Sequence, residues 1–63
     1  MLPESFVQIR SLSLPVGTEE QRQVAAARLR EQGLARAQVC RPAGPGVVEL
    51  DRYLMPDGRI LRL

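Results

Sequence analysis

Residues 18–33, TEEQRQVAAARLREQG, form the one segment of this chain in which the beginning, the body and the end all indicate the same element. Thr18 is a favoured N-cap residue, and Gln21 three positions later completes a capping box that satisfies two backbone N–H groups. Gly33 suits the left-handed conformation that closes a helix in a Schellman motif. The segment therefore predicts an α-helix.

The buried side of this helix is predicted to be narrow and shallow. A helical period of about 100° per residue gathers Val24, Ala25, Ala26 and Leu29 in one sector, and half of that sector is alanine. A stripe with so little side-chain volume can lie close to a sheet and draws its stability from that packing. We therefore expect a sheet beneath the helix.

Residues 5–14, SFVQIRSLSL, precede the helix and are rich in residue types that favour strands. Their alternation changes phase, because Val7 and Ile9 lie on one face and Leu12 and Leu14 lie on the other. A regular strand does not change phase in this way. We expect either that the strand stops near Arg10 or that a bulge at Arg10–Ser11 re-aims its second half.

Further extended segments follow the helix. Residues 34–41 and 47–54 alternate as strands, and residues 42–46, rich in Pro and Gly, predict an exposed loop between them. Residues 55–58 have the Pro and Gly positions of a type I turn, and residues 59–63 return as the second arm of a hairpin. Regular alternation in the second of these strands predicts two opposite sets of side chains: Val48, Leu50, Leu54 and Arg52 on one face, and Val47, Glu49, Asp51 and Tyr53 on the other.

This order of elements predicts an α+β fold. We expect a single small domain over residues 1–63, with one helix packed on a small, mostly antiparallel sheet of three to four strands in the order β-α-β-β-β. The crossover through the helix is expected to be right-handed, with the first two strands adjacent or with the third inserted between them. One helix covers one sheet face, and 63 residues give a small core, so we expect a homodimer joined through sheet faces or edges. The second face is expected to expose apolar residues such as Val47, Tyr53, Leu61 and Leu63.

Composition removes most cofactor and metal chemistry. The chain has no His and a single cysteine, Cys40, so it lacks the commonest general base and cannot form an intramolecular disulfide or a cysteine-based metal site. The first residues show no leader pattern, and no apolar run approaches the roughly 18 residues of a membrane span. We expect a cytoplasmic protein with no cofactor and no membrane contact.

Reactive side chains lack the neighbours that catalysis requires. Glu49 and Asp51 have the spacing of a carboxylate pair for acid–base work or for a hard cation. Without a third ligand, we expect a solvated pair that meets Arg59 across the hairpin. Cys40 and the serines have no partner base. The sequence therefore predicts that the protein is not an enzyme.

All of the basic residues are arginine. The chain has nine Arg and no Lys, a usage that together with abundant Ala and Gly fits a GC-rich bacterial or phage genome, and its net charge is +2. Residues 34–63 carry five of these arginines against three acidic residues. Guanidinium groups suit bidentate contacts with phosphate and guanine, but only Phe6 and Tyr53 are available for base stacking.

The strings FVQIRS and AAARLREQGLARAQV are similar to the opening half of a SPOR repeat, a peptidoglycan-binding unit. In that repeat a strand of the form FVQ-x-x-S also precedes a helix that ends in Gly and is followed by a strand. The resemblance covers residues 6–39, and the second helix of the family is missing. It therefore implies a shared β-α-β pattern and no family membership.

Two function classes follow from these observations. The preferred one is a small non-enzymatic protein-interaction module, an adaptor, accessory subunit or inhibitor, that docks its sheet surface on a larger protein. The alternative is a small dimeric nucleic-acid-binding regulator that uses the arginine-rich second half. Fold class alone does not choose between them. The predicted partner-binding residues are Arg36, Arg41, Arg52, Tyr53, Arg59 and Arg62.

Overall fold

The computed structural model describes residues 5–62, in which one helix packs on one face of a five-stranded antiparallel sheet. The strand order is β2-β1-β3-β4-β5. The α+β class is confirmed, whereas the prediction of three to four strands was wrong. Leu63, which was assigned to the last strand, and residues 1–4 lie outside the described residues. The elements are β1 (Phe6–Ile9), β2 (Leu12–Pro15), α1 (Glu19–Glu31), β3 (Ala37–Gly44), β4 (Val47–Leu54) and β5 (Ile60–Arg62).

The additional strand comes from a hairpin at Arg10. β1 stops at Ile9, and a two-residue turn of Arg10 and Ser11 reverses the chain into β2. Arg10 has a φ of 58°, which lies in the left-handed region. Ile9 faces Leu12 across the hairpin, so their side chains point to the same sheet face. The change of phase in the sequence therefore marks a chain reversal, and the expectation that the strand stops near Arg10 is confirmed.

This reversal changes the direction in which the first strand meets the strand after the helix. β1 and β3 are neighbours, as one of the two expected arrangements had it, but they run antiparallel. The helix therefore connects β2 to β3 with β1 lying between them in the sheet. The expected crossover ran from the first strand through the helix to the next strand. It is not found, because the chain forms the separate strand β2 before it enters the helix.

Helix α1 begins with the predicted capping box. Thr18 Oγ1 accepts a hydrogen bond from the Gln21 backbone N–H at 3.1 Å, and Gln21 Oε1 accepts one from the Thr18 N–H at the same distance. Glu19 and Glu20 lie in the first turn, where the helix dipole favours negative charge. The predicted start of the helix is therefore confirmed.

The helix also ends as predicted. Gly33 has a φ of 69°, and its N–H donates to the Arg30 carbonyl at 3.1 Å. The Leu34 N–H donates to the Leu29 carbonyl at 2.9 Å, which completes a Schellman motif. Leu34 packs against the buried cluster that contains Leu29, and this contact is the one expected of the motif.

The core lies between α1 and the inner face of the sheet, which is the face that the helix covers. Ala25, Ala26 and Leu29 are fully buried, as predicted. Val24 was predicted to be buried with them but is 56% exposed, because it lines an open groove beside Pro15 of the edge strand β2, where the sheet ends. The other buried apolar residues are Val7, Ile9, Val16, Ala37, Val39 and Leu54.

A β-bulge in β4 interrupts the β3–β4 ladder. Val39 faces Arg52, whereas the next residue, Cys40, faces Leu50. Asp51 is therefore an extra residue with no facing position, and the alternation changes there. The prediction of regular alternation through Val47–Leu54 was wrong beyond this point. The register places Leu54, Arg52 and Glu49 on the inner face and Tyr53, Leu50 and Val48 on the opposite one.

The turn between β4 and β5 has the predicted four residues. The Gly58 N–H donates to the Met55 carbonyl at 2.9 Å, and Gly58 has a φ of 90°. A side chain at this glycine would collide with the amide group of Gln23 in the helix. The Arg30 side chain donates a hydrogen bond to the Pro56 carbonyl. The turn therefore packs against helix α1, with Gly58 beside Gln23 and the Pro56 carbonyl bound by Arg30.

Candidate interaction face

The sheet face that points away from helix α1, called the outer face below, has no element packed on it within residues 5–62. Its side chains alternate along each strand with those of the core, because successive residues of a strand point to opposite faces. The register places these strand residues on the outer face: Phe6, Gln8, Ser13, Pro15, Gln38, Cys40, Pro42, Val48, Leu50, Tyr53 and Leu61.

An apolar row crosses the middle of the outer face. Phe6 of β1 faces Cys40 of β3, and Cys40 faces Leu50 of β4. In the neighbouring row, Tyr53 faces Leu61 of β5. Leu50 is 45% exposed and Leu61 is 41% exposed. Contiguous exposed apolar surface of this kind marks interaction sites in proteins, whereas single exposed apolar residues do not.

The outer face is also almost free of charge. Within the described part of the chain, none of the strand residues that the register places there is charged. Arg36, which precedes β3, borders the face, and its Cζ lies 4.3 Å from the centroid of the Tyr53 ring. This cation–π contact holds the guanidinium against the sheet. Depletion of charge is typical of the buried centre of protein–protein interfaces.

Strands β3 and β4 extend beyond their neighbours as a two-stranded arm, residues 41–51. β1 meets β3 only as far as Cys40, and β5 meets β4 only as far as Arg52. Within residues 5–62, the arm therefore has no strand paired on either outer edge. Val47 at its tip is 55% exposed and Val48 is 58% exposed. A two-stranded hairpin is marginal in water on its own, so the arm depends on contacts along its length.

One cluster of ion pairs holds the two strands of the arm together. Arg41 Nε lies 3.1 Å from Glu49 Oε2, and Arg41 Nη2 lies 2.8 Å from Asp51 Oδ2. Arg52 Nε approaches Asp51 Oδ1 at 3.3 Å. The expectation that the two carboxylates meet Arg59 was wrong, because Arg41 is the residue that faces Glu49 in the register. The carboxylates therefore serve the arm as ion-pair partners.

Arg59 pairs with a different carboxylate, that of Asp57 in the β4–β5 turn. The Arg59 backbone N–H donates to Asp57 Oδ1 at 3.0 Å, and Arg59 Nε lies 2.6 Å from Asp57 Oδ2. The backbone N–H of Arg59, followed by its guanidinium, lowers the pKa of the Asp57 carboxyl below its ordinary value. Both groups stabilise the charged form of the carboxylate.

The six residues predicted to bind a partner do not form one site. Arg36 and Tyr53 lie at the border of the outer face. Arg41 and Arg52 share the Asp51 carboxylate, and Arg62 faces Arg52 in the register. Arg59 lies apart from them, beside Asp57 in the β4–β5 turn.

Sequence reasoning missed four residues of the outer face. Val48 and Leu50 were assigned to the core side, because the bulge at Asp51 has no mark in the sequence. Phe6 alternates with buried Val7, and that alternation was a signal that could have placed Phe6 on the outer face. The fourth is Cys40, which was considered as a reactive group and not as part of an apolar surface.

Within the described residues, no three or more His, Cys, Asp or Glu side chains come together in a way that would hold a metal ion. Helix α1 does not have the length and apolar character of a membrane span, and it is the one helix among residues 5–62. Comparisons with protein families, with curated proteins and with solved structures found no match for this chain. Its function is therefore inferred from its own geometry.

Proposed function

We propose that this protein is a small non-enzymatic protein-interaction module, an adaptor, accessory subunit or inhibitor, that docks on a larger protein through the outer face. The observation that carries the proposal is the contiguous apolar surface around Leu50 and Leu61, which are 45% and 41% exposed on a face whose strand residues are uncharged. Burying apolar surface contributes about 25 cal/mol per Å², so covering this face would be favourable.

The structure offers a matched pair of positions for a test. Leu50 lies on the outer face and Leu12 lies at the edge of the inner face, and the two have nearly equal exposure, 45% and 42%. A glutamate at either position therefore adds the same charge to a similarly exposed site. Only Leu50→Glu places that charge in the centre of the proposed interface, where an unpaired buried charge opposes binding.

The experiment is affinity capture from a lysate of the native host, with and without nuclease. We expect the wild type and Leu12→Glu to retain the same protein partner after nuclease treatment, and Leu50→Glu to lose it. Circular dichroism of each purified variant is the control for a retained fold. Equal capture by the two variants would contradict a docking role for the outer face.

The alternative function is a small dimeric nucleic-acid-binding regulator. Three of its predicted phosphate ligands, Arg41, Arg52 and Arg59, already pair with carboxylates at distances of 2.6 to 3.3 Å. An arginine that is already paired with a carboxylate neutralises a phosphate less completely, so fewer counterions leave the DNA on binding. This pairing supports a protein over a nucleic acid as the main ligand.

Salt dependence separates the two functions. A dimer that uses three or four arginines per subunit would make roughly six to eight phosphate contacts, and its DNA affinity would fall by several log units for each log unit of salt. We expect only weak, shallow-slope binding of duplex DNA. A steep slope that flattens when Arg41, Arg59 and Arg62 are replaced by Ala would support the nucleic-acid function instead.

A further inference from the structure

We propose, as a step that rests on the docking function above, that the larger partner adds an extended, acidic segment of its chain beside β5 as a sixth strand of the sheet. β5 is an edge strand in the order β2-β1-β3-β4-β5. Its residue Leu61 lies on the outer face, so a strand added here is continuous with the proposed docking surface. Three observations favour this occupant: the direction of the backbone groups of β5, the difference between the two sheet edges, and the charge of Arg62.

The free edge of β5 presents backbone groups that pair with an extended chain. The Met55 N–H donates to the Arg59 carbonyl at 2.9 Å, so these two residues form a hydrogen-bonded pair at the start of the β4–β5 ladder. Bonded and non-bonded pairs alternate along an antiparallel ladder, which makes the pair that contains Leu61 the next bonded one. Ile60 and Arg62 therefore direct their N–H and C=O groups away from β4. An added strand satisfies such groups in β-augmentation.

The opposite edge of the sheet, β2, lacks part of this pattern. The Val16 N–H donates to the Ser5 carbonyl at 2.9 Å, so the same alternation turns Ser13 and Pro15 toward the free edge of β2. Pro15 has no N–H, and the edge of β2 therefore offers one donor where that of β5 offers two. Proline on an edge strand prevents pairing with other chains, and β5 contains none. β5 is thus the edge that is open to an added strand.

The charge at the end of β5 favours an acidic segment. Arg62 faces Arg52 across the ladder, and like charges directly opposite each other destabilise a pair of strands. Within residues 5–62, Arg52 pairs with the Asp51 carboxylate at 3.3 Å, whereas Arg62 forms no ion pair there. An Asp or Glu at the facing position of an added strand supplies the negative charge that this row of side chains lacks.

A second copy of this chain does not offer such a segment among its described residues. β5 has the sequence ILR and contains no acidic residue, so pairing between two β5 edges brings no carboxylate to Arg62. The acidic residues that lie in strands are Glu49 and Asp51, and both already pair with Arg41. Charge complementarity therefore favours a segment of a different protein.

The first experiment uses a phage-displayed library of random eight-residue peptides, selected on the immobilised full chain. We expect an Asp or Glu with an apolar residue two positions away, because Arg62 and Ile60 lie two positions apart on the inner face of β5. Arg62→Glu should bind the selected peptide roughly tenfold more weakly and should select Lys or Arg instead. Arg10→Glu, which changes an exposed arginine beside the other edge strand, should select acidic peptides like the wild type.

The second experiment tests the backbone hydrogen bonds by N-methylation, introduced through chemical synthesis of the 63-residue chain. N-methylation at Ile60 and N-methylation at Ser13 each remove one outward N–H and keep every side chain, and the two sites lie on opposite edges. We expect the change at Ile60 to weaken binding of the selected peptide roughly tenfold or more, and the change at Ser13 to have no effect. If the chain methylated at Ile60 does not fold, hydrogen exchange replaces it, and bound peptide should protect the Ile60 and Arg62 amides.

Equal binding by the two methylated chains would overturn the inference, as would amides that gain no protection. Selection that yields no binders, or binders without an acidic residue, would do the same. A wild-type dimer that N-methylation at Ile60 dissociates would also overturn it, because the occupant of the edge would then be a second copy.

These outcomes differ from failure of the docking function. Capture of the host partner that is lost in Leu50→Glu but kept after N-methylation at Ile60 refutes strand addition and leaves docking on the outer face standing. Capture that is kept in Leu50→Glu but lost after N-methylation at Ile60, and not after N-methylation at Ser13, supports strand addition and refutes docking on the outer face.

Discussion

Gly33 closes helix α1 in the left-handed region, and a Cβ at this position would meet nothing within 4 Å. The cost of a side chain here is therefore a backbone cost alone. We expect Gly33→Ala to lower the free energy of unfolding by about 1 kcal/mol, measured by urea denaturation. Gly44→Ala is the control, since that position is equally open and has no positive φ. Equal midpoints for the two variants would show that the left-handed cap does not stabilise the helix.

Asp57 gives the molecule a specific response to acid. Its pKa is lowered by the backbone N–H and then the guanidinium of Arg59. A carboxyl with a depressed folded pKa contributes stability above its unfolded pKa, near 3.9, and loses it as the pH falls through the folded pKa. We expect Asp57→Asn to be less stable than the wild type at about pH 7, with the gap closing below about pH 3.9. Chemical denaturation at several pH values measures this gap, and a constant gap would contradict the assignment.

At the scale of elements, the first position of the β1–β2 turn is Arg10, a non-glycine residue with a φ of 58°. Left-handed backbone costs an L-residue roughly 1–2 kcal/mol, and glycine avoids this cost while adding freedom to the unfolded chain. We expect Arg10→Gly to raise the free energy of unfolding by up to about 1 kcal/mol. Ser11→Gly, at the adjacent turn position without a positive φ, is expected to lower it. Stabilisation by both variants, or by neither, would contradict this account.

Elements whose signals are local could be predicted from the sequence. The helix was predicted from Thr18 at one end to Gly33 at the other, because caps act within a few residues of the positions that encode them. The β4–β5 turn was predicted for the same reason, since Pro56 and Gly58 fix its backbone directly.

Features that depend on a partner strand could not be predicted. The hairpin at Arg10 lacks the Asn, Asp or Gly that usually announces a two-residue turn, and only the phase change at Leu12 pointed to it. The bulge at Asp51 depends on the pairing register of β3 with β4, and the alternation within one strand does not specify that register. The outer face could therefore be predicted only in part from the sequence, because Tyr53 and Leu61 were assigned to it and Leu50 was not.

At the scale of the whole molecule, the homodimer expected from the sequence would link the free energy of unfolding to protein concentration. A tenfold rise in concentration is worth about 1.4 kcal/mol for a two-chain unit, which corresponds to roughly 5 °C in Tm for a unit of this size. We expect the wild-type Tm, followed by circular dichroism, to rise by this amount for each tenfold increase. Leu50→Glu is expected to show a Tm independent of concentration. A concentration-independent wild type would agree with a monomer.

The bulge at Asp51 also has a consequence for chain length. Asp51 is the residue that the ladder does not need, since Arg52 and Leu50 already face consecutive residues of β3. A chain that lacked this one codon would read VVELRYL, in which apolar Val48, Leu50 and Tyr53 alternate with Glu49 and Arg52. In such a shorter chain every side chain would stay on its present face of the sheet. The alternation of apolar and charged residues would then be regular and could be recognised from the sequence. One inserted residue is thus enough to hide the two-face pattern in the sequence of this strand while leaving the surface itself intact.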